Sequence, residues 1–167
     1  GKYFLSTLEQ TDYTPSDHFT GVVESPVFVL SAPEMQLLVG GGNHPDTYVA
    51  LCTLDGREHV KAHGDNSQTM AARTWNCPEL VGQKCFLRMV DRNQGGWGHI
   101  TFDNFLARGS IDLEASAARF AEAERDLMRK NITDELNACS LKPLQTAIQS
   151  LLERHGAAYP DGDQFLL

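Results

Sequence analysis

A chain of 167 residues with 41% hydrophobic content can bury one core. Its net charge of -8, from 14 basic against 22 acidic residues and no cluster of Lys or Arg, repels a polyphosphate backbone and argues against nucleic acid as a partner. The apolar runs are strand-sized and interrupted, far below the roughly 20 residues a membrane helix needs, so no membrane span is expected. No basic-then-apolar leader opens the chain, and an export signal is expected to have been removed or to belong to a larger precursor.

In chain order, short apolar runs recur between turn signals at Tyr3–Leu8, Val27–Leu30, Met35–Val39, Tyr48–Leu54, His59–Ala62, Cys85–Val90 and His99–Phe105, each of strand length. Asp55-Gly56 separates two of them and predicts a hairpin closed by a type I′ turn. Along Tyr48–Leu54 both alternate faces are largely apolar, as in a strand covered on both sides. In contrast, His59, Lys61 and His63 alternate with Val60 and Ala62 in a half-exposed pattern.

Near residue 110 the composition changes. Twelve of the 14 glycines and both tryptophans lie before it, and the remainder is rich in Ala, Leu and Glu. Ser110 or Asp112 can cap a helix with Ala117, Phe120, Ala121, Leu127 and Met128 near one side, and Thr133 can cap a short second helix reaching about Cys139. Leu144, Ala147, Ile148, Leu151 and Leu152 then form one stripe, with Pro143 in the first turn and Gly156 as the stop. The expected organisation is a β-domain over residues 1–110 and a helical extension over 111–167. The apolar ending Phe165-Leu166-Leu167 suggests a piece of a longer polypeptide with neighbouring domains.

Cys52, Cys77, Cys85 and Cys139 have no CxxC or Cys/His ligand spacing, so zinc and covalent haem lack support. Cys52 and Cys85 fit buried free thiols, and Cys77 with Cys85 is the pair best placed for a disulfide. No G-x-S-x-G, H-E-x-x-H or P-loop pattern occurs, and the glycines of Gly40-Gly41-Gly42-Asn43 are followed by Pro45 and a strand rather than a phosphate-binding helix. A non-enzyme is expected.

The runs "GVVESPVFVL" (21–30), "QLLVGGG" (36–42), "VALCTLDG" (49–56), "AHGDNSQTM" (62–70), "RTWNCPELVGQKCFLRMVD" (73–91) and "GGWGHITFDNF" (95–105) together resemble a galactose-binding-like jelly roll. The version resembled is an accessory domain appended to fructan-degrading glycoside hydrolases and to large secreted bacterial proteins. The resemblance covers roughly residues 18–105 and none of the helical tail. It implies a mainly β, jelly-roll β-sandwich of about eight strands, non-catalytic, secreted or periplasmic, with a glycan as its partner.

Sugars present flat C–H faces to aromatic rings and hydroxyls to amides, carboxylates and guanidinium groups. Trp97 with Asp91, Arg92, Asn93 and His99 supplies that set, and is the expected binding surface. The competing reading makes Trp97 a plug at one end of the sandwich, with the whole domain a structural spacer that docks its neighbours. Asn43, His44 and Asp46, and Asp65, Asn66 and Gln68, form polar loops that can converge at the same end of the strands. No cofactor is expected, although Asp103, with Glu24 or backbone carbonyls, is where the resemblance would put a structural calcium.

Overall fold

A computed structural model describes residues 3–9, 14–138 and 142–156. The chain is mainly β with a C-terminal helical extension. Its eight strands are β1 (Leu5–Ser6), β2 (Gly21–Glu24), β3 (Phe28–Gly41), β4 (Thr47–Thr53), β5 (Glu58–Ala62), β6 (Ser67–Asn76), β7 (Lys84–Asp91) and β8 (Ile100–Ile111). Helices α1 (Leu113–Ala138) and α2 (Lys142–Gly156) follow. The chain divides into two compact units, Gly1–Ser116 and Ala117–Leu167.

All ladders are antiparallel, and the sheet runs β1-β8-β3-β7-β4-β5, with β2 also on β7 and β6 also on β3. Strand β3 joins two regions of this sheet. Phe28 and Val29 pair with Cys85 and Lys84 of β7, whereas Glu34–Val39 pair with β6. Between them the register against β8 jumps from Leu30↔Gly109 to Met35↔Ala107, and this irregular stretch contains Pro33, which has no N–H to give a ladder. The two runs expected at Val27–Leu30 and Met35–Val39 are thus one strand interrupted by a bulge.

Alternation then sets the core. Met35, Leu37 and Val39 of β3, Trp75 of β6 and Ile100 of β8 bury with Val49 and Leu51 of β4 and Leu87 and Met89 of β7 in one cluster. Strand β4 is buried on its other face as well, where Tyr48, Ala50 and Cys52 pack with Phe86 and Val90, as its sequence predicts. Above that second cluster Lys61 Nζ sits 3.8 Å from the Tyr48 ring centroid, and Arg88 bridges Glu24 (2.8 Å) and Glu58 (3.3 Å).

The Asp55-Gly56 hairpin is present, but its turn differs from the expected type I′. Gly56 alone in the loop has positive φ (82°), its N–H donates to Thr53 C=O (2.9 Å), and Thr53 N–H donates to Arg57 C=O (3.1 Å). This is a three-residue loop with a glycine bulge, in which Asp55 caps the turn by accepting from Thr53 Oγ1 (2.6 Å) and keeps an ordinary backbone. The attached register shift between Leu51 and Cys52 absorbs the extra residue.

Asp112 caps α1: its Oδ1 accepts the Ala115 N–H (2.9 Å), and its Oδ2 meets Lys84 Nζ at 2.9 Å. That N–H and the Lys84 ammonium hold the Asp112 carboxyl below the usual carboxylate range. Ser116 accepts the Val27 N–H (2.8 Å), tying the first helical turn to the start of β3. The separate short helix expected from Thr133 is absent. α1 is continuous through it, because the Thr133 hydroxyl donates to the Arg129 carbonyl (2.8 Å) within the helix instead of capping a new one.

Cys52, Cys77 and Cys85 are free, buried thiols, and burial pushes Cys85 up to about 11. The buried-thiol reading of Cys52 and Cys85 holds, and Cys77 and Cys85, the pair best placed for a disulfide, are two separate thiols in the apolar core. Cys139 and the ending 157–167 lie outside the described residues.

Candidate functional site at the Trp97 loop

The loop between β7 and β8 turns at Gly95-Gly96-Trp97-Gly98, closed by a hydrogen bond from Gly98 N–H to Gly95 C=O (2.8 Å). Trp97 occupies the third position of this turn with φ of 63°, where the left-handed backbone normally selects glycine or asparagine. A side chain there costs about 1–2 kcal/mol. Such a conformation persists only where its surroundings over-determine it.

The surroundings do so. The Trp97 N–H donates to Asp17 Oδ2 (3.2 Å), and Asp17 Oδ1 accepts from His99 Nδ1 at 2.6 Å. His99 Nε2 accepts from the Gln68 amide (3.3 Å), and His44 Nε2 donates to the Gly96 carbonyl (3.1 Å). Gly42 donates its N–H to His99 C=O (2.8 Å), and a methyl group at residue 42 would run into the Trp97 carbonyl oxygen. Asn93 Nδ2 donates to Asp46 (3.2 Å), and Asn66 Oδ1 accepts the Asn43 N–H (2.8 Å). The polar loops at 43–46 and 65–68 therefore converge on the Trp97 turn.

Of the five residues expected to touch a ligand, the structure presents three. Trp97 is 38% exposed, with its ring centroid 5.7 Å from that of His99 and tilted by 30°. Arg92 is exposed, and Asn93 is half-buried. His99 is 2% exposed and Asp91 fully buried, so neither presents a surface to a ligand as the sequence suggests. Both sit where strand ends pass beneath the loop, Asp91 opposite Thr47 and His99 just ahead of β8. Their polar groups hold the loop rather than face outward. Asp17, which the sequence reading missed, is the residue that links the Trp97 N–H to His99. Its partner lies 82 positions away, and Ser16-Asp17-His18 has no local pattern to announce it.

Asp91 is the costly member of the set. Its Oδ1 accepts the Asn93 N–H (3.2 Å), while Oδ2 is buried without a hydrogen-bond partner among the described residues. Burial pushes its carboxyl above the usual range, against the pull of the Thr7 hydroxyl and the Asn93 N–H. A raised carboxyl pKa means that the native state binds the proton more tightly than the unfolded chain. Its contribution is favourable below the unfolded value of about 3.9 and is lost as pH rises through the native value. Asp91→Asn should therefore melt higher than the wild type at pH 7. That advantage should fade as pH drops through the raised native value toward 3.9. A variant less stable at pH 7 would mean that the ionised carboxylate has a charged partner.

Asp103 accepts its neighbour's N–H, from Asn104 at 2.7 Å, at a point where Asn104 has φ of 52° and the register against β3 shifts. It shapes a bulge. Glu24, its suggested companion, is paired with Arg88. Among the described residues no group of three or more His, Cys, Asp or Glu side chains could hold a metal ion.

A groove of about 270 Å³ lined by Ser25, Pro26, Phe28, Leu87, Phe105, Ala107, Gly109, Ser110 and Ile111 shares no residue with the Trp97 cluster. Its walls are mostly apolar and offer few groups to a sugar hydroxyl, so the Trp97 loop is the better candidate for that chemistry.

No family model matches the chain, and no solved structure matches it. The chain is similar to ecdE of Aspergillus rugulosus, described as a candidate glycosyl hydrolase, with 29% identity over 103 residues. The match covers 62% of this chain and 14% of that protein.

Proposed function

We propose that this chain is a non-catalytic carbohydrate-binding module, a galactose-binding-like jelly roll within a larger secreted protein, with Trp97 as its sugar platform and Arg92 and Asn93 beside it. The observation that carries this reading is the backbone of Trp97. A bulky residue is held in a glycine conformation by Asp17, His44 and Gly42, at a net cost, with its ring partly in solvent. A turn needed only to reverse the chain would be cheaper with glycine there.

Two further points support it. The carboxylate at the Trp97 backbone, Asp17, is already engaged by the Trp97 N–H and His99, which suits positioning better than bond cleavage. The similar protein is described in terms of glycosyl hydrolysis and is much longer than the matched region, which suits a module within a carbohydrate-active chain. Affinity-gel retardation against plant, algal, bacterial and fungal polysaccharides tests the proposal. Retardation by at least one is expected, and uniform failure would sink it.

The second reading is a structural spacer that docks neighbouring domains without a small ligand. It is favoured by the exposed Phe120, Leu127, Met128 and Ile132 of α1, an apolar set that a docking partner would cover.

A further inference from the structure

Sheet edges are sites where chains meet, because half the backbone groups of an edge strand point away from the sheet. Among the described strands, most edges are blunted. Strand β1 has two residues, β2 has four and ends in Glu24 paired with Arg88, and β5 has five and carries Glu58 and Lys61. Strand β6 differs from all three. It is ten residues long, pairs only with β3, and keeps an unbroken register from Asn76↔Glu34 to Ala71↔Val39.

Its composition lacks the usual protection. From Asn66 to Asn76 there is no proline and no acidic residue, although the chain holds 22 acids. The one charge there, Arg73, is folded onto Asp65 at 2.7 Å and the His63 carbonyl at 3.1 Å. This is a long, acid-free, charge-compensated edge on a strongly acidic protein. Among the described strand edges it is the longest, and it offers a second copy no carboxylate to repel.

We infer that the outer edge of β6 pairs antiparallel with the same edge of a second copy, making a two-fold dimer with one sheet continued across it. Opposed residues in an antiparallel ladder share their hydrogen-bonding sense, so a two-fold pair is centred on a residue. Centring on Ala72 sets Ala71 against Arg73, Met70 against Thr74, Thr69 against Trp75 and Gln68 against Asn76. No like charges meet in that register, and the axis falls on a small, exposed side chain.

Sedimentation equilibrium of the whole chain tests this. Each copy carries a net charge of -8, so screening should favour the dimer. Association should tighten several-fold between about 20 mM and about 500 mM salt, where the Debye length falls to a few ångströms. Ala72→Lys opposes two cations on the axis and should yield a monomer with an unchanged melting curve. Val23→Lys, an exposed change of the same charge on β2, should still dimerise. Should Ala72→Lys fail to fold, amide exchange of the wild type decides: residues 67–76 should slow on concentration from about 1 to about 200 µM. A wild type that stays monomeric at about 200 µM in both salts would overturn the inference. So would a folded Ala72→Lys that still dimerises, or exchange in β6 that ignores concentration.

Discussion

Trp75→Ala should lower the melting temperature by about ten degrees or more. Trp75 is 5% exposed and lies in the core cluster opposite Met35, so its removal deletes a large apolar surface and leaves a cavity between β6 and the strands facing it. Loss of a buried Trp costs roughly 3–5 kcal/mol, and in a domain of about a hundred residues each kcal/mol shifts the midpoint by several degrees. Differential scanning calorimetry checks it, and a shift of only a degree or two would mean that β6 is not packed as described. Trp75 is the buried tryptophan of the core, whereas Trp97 is 38% exposed.

Gly42→Ala should damage both the fold and the Trp97 loop. The added methyl would meet the Trp97 carbonyl oxygen and lie 2.9 Å from His44 Cδ2, while Gly42 N–H must still reach His99 C=O. One of the two loops has to move. Overpacking of this kind costs typically 1–3 kcal/mol. Because the displaced group is the Trp97 backbone, glycan retention should fall together with stability. Gly96→Ala, where nothing lies within 4 Å, is the matched control and should change the melting temperature little. Equal effects from the two would contradict the close approach of the loops.

What the sequence made legible was governed by local rules. The hairpin could be read because Asp55-Gly56 supplies turn chemistry directly, and the double burial of β4 could be read because both its faces are apolar. The particular turn could not. Type I′ and the glycine-bulge loop both accept Asp-Gly, and the choice rests on the register of the attached strands. Strand β6 escaped notice because its outward positions, Gln68, Met70, Ala72, Thr74 and Asn76, hold no consistent pattern, and its inward set includes Ala71 and Arg73. Strand β2 escaped because Val22 and Val23 are both exposed.

At the candidate site the same limit applies. The glycines around Trp97 advertise a tight turn, and the polar loops at 43–46 and 65–68 advertise side chains able to bond to it. Asp17 does not, since its importance comes from meeting Trp97 and His99 some 80 residues later. The burial of Asp91 and His99 was likewise hidden, because a polar residue at a strand end looks the same in sequence whether it faces solvent or supports the loop above it. Even the unity of α1 hinged on whether the Thr133 hydroxyl bonded backward to Arg129.

The most direct test of the account is Trp97→Gly, measured by affinity-gel retardation against whichever polysaccharide retards the wild type, alongside its melting curve. Glycine removes the ring but also relieves the φ of 63°, so the lost contact with His99 and the recovered strain of about 1–2 kcal/mol act in opposite directions. The melting temperature should stay within a few degrees of the wild type, and retardation should be lost completely. A folded Trp97→Gly protein retarded as strongly as the wild type would contradict it.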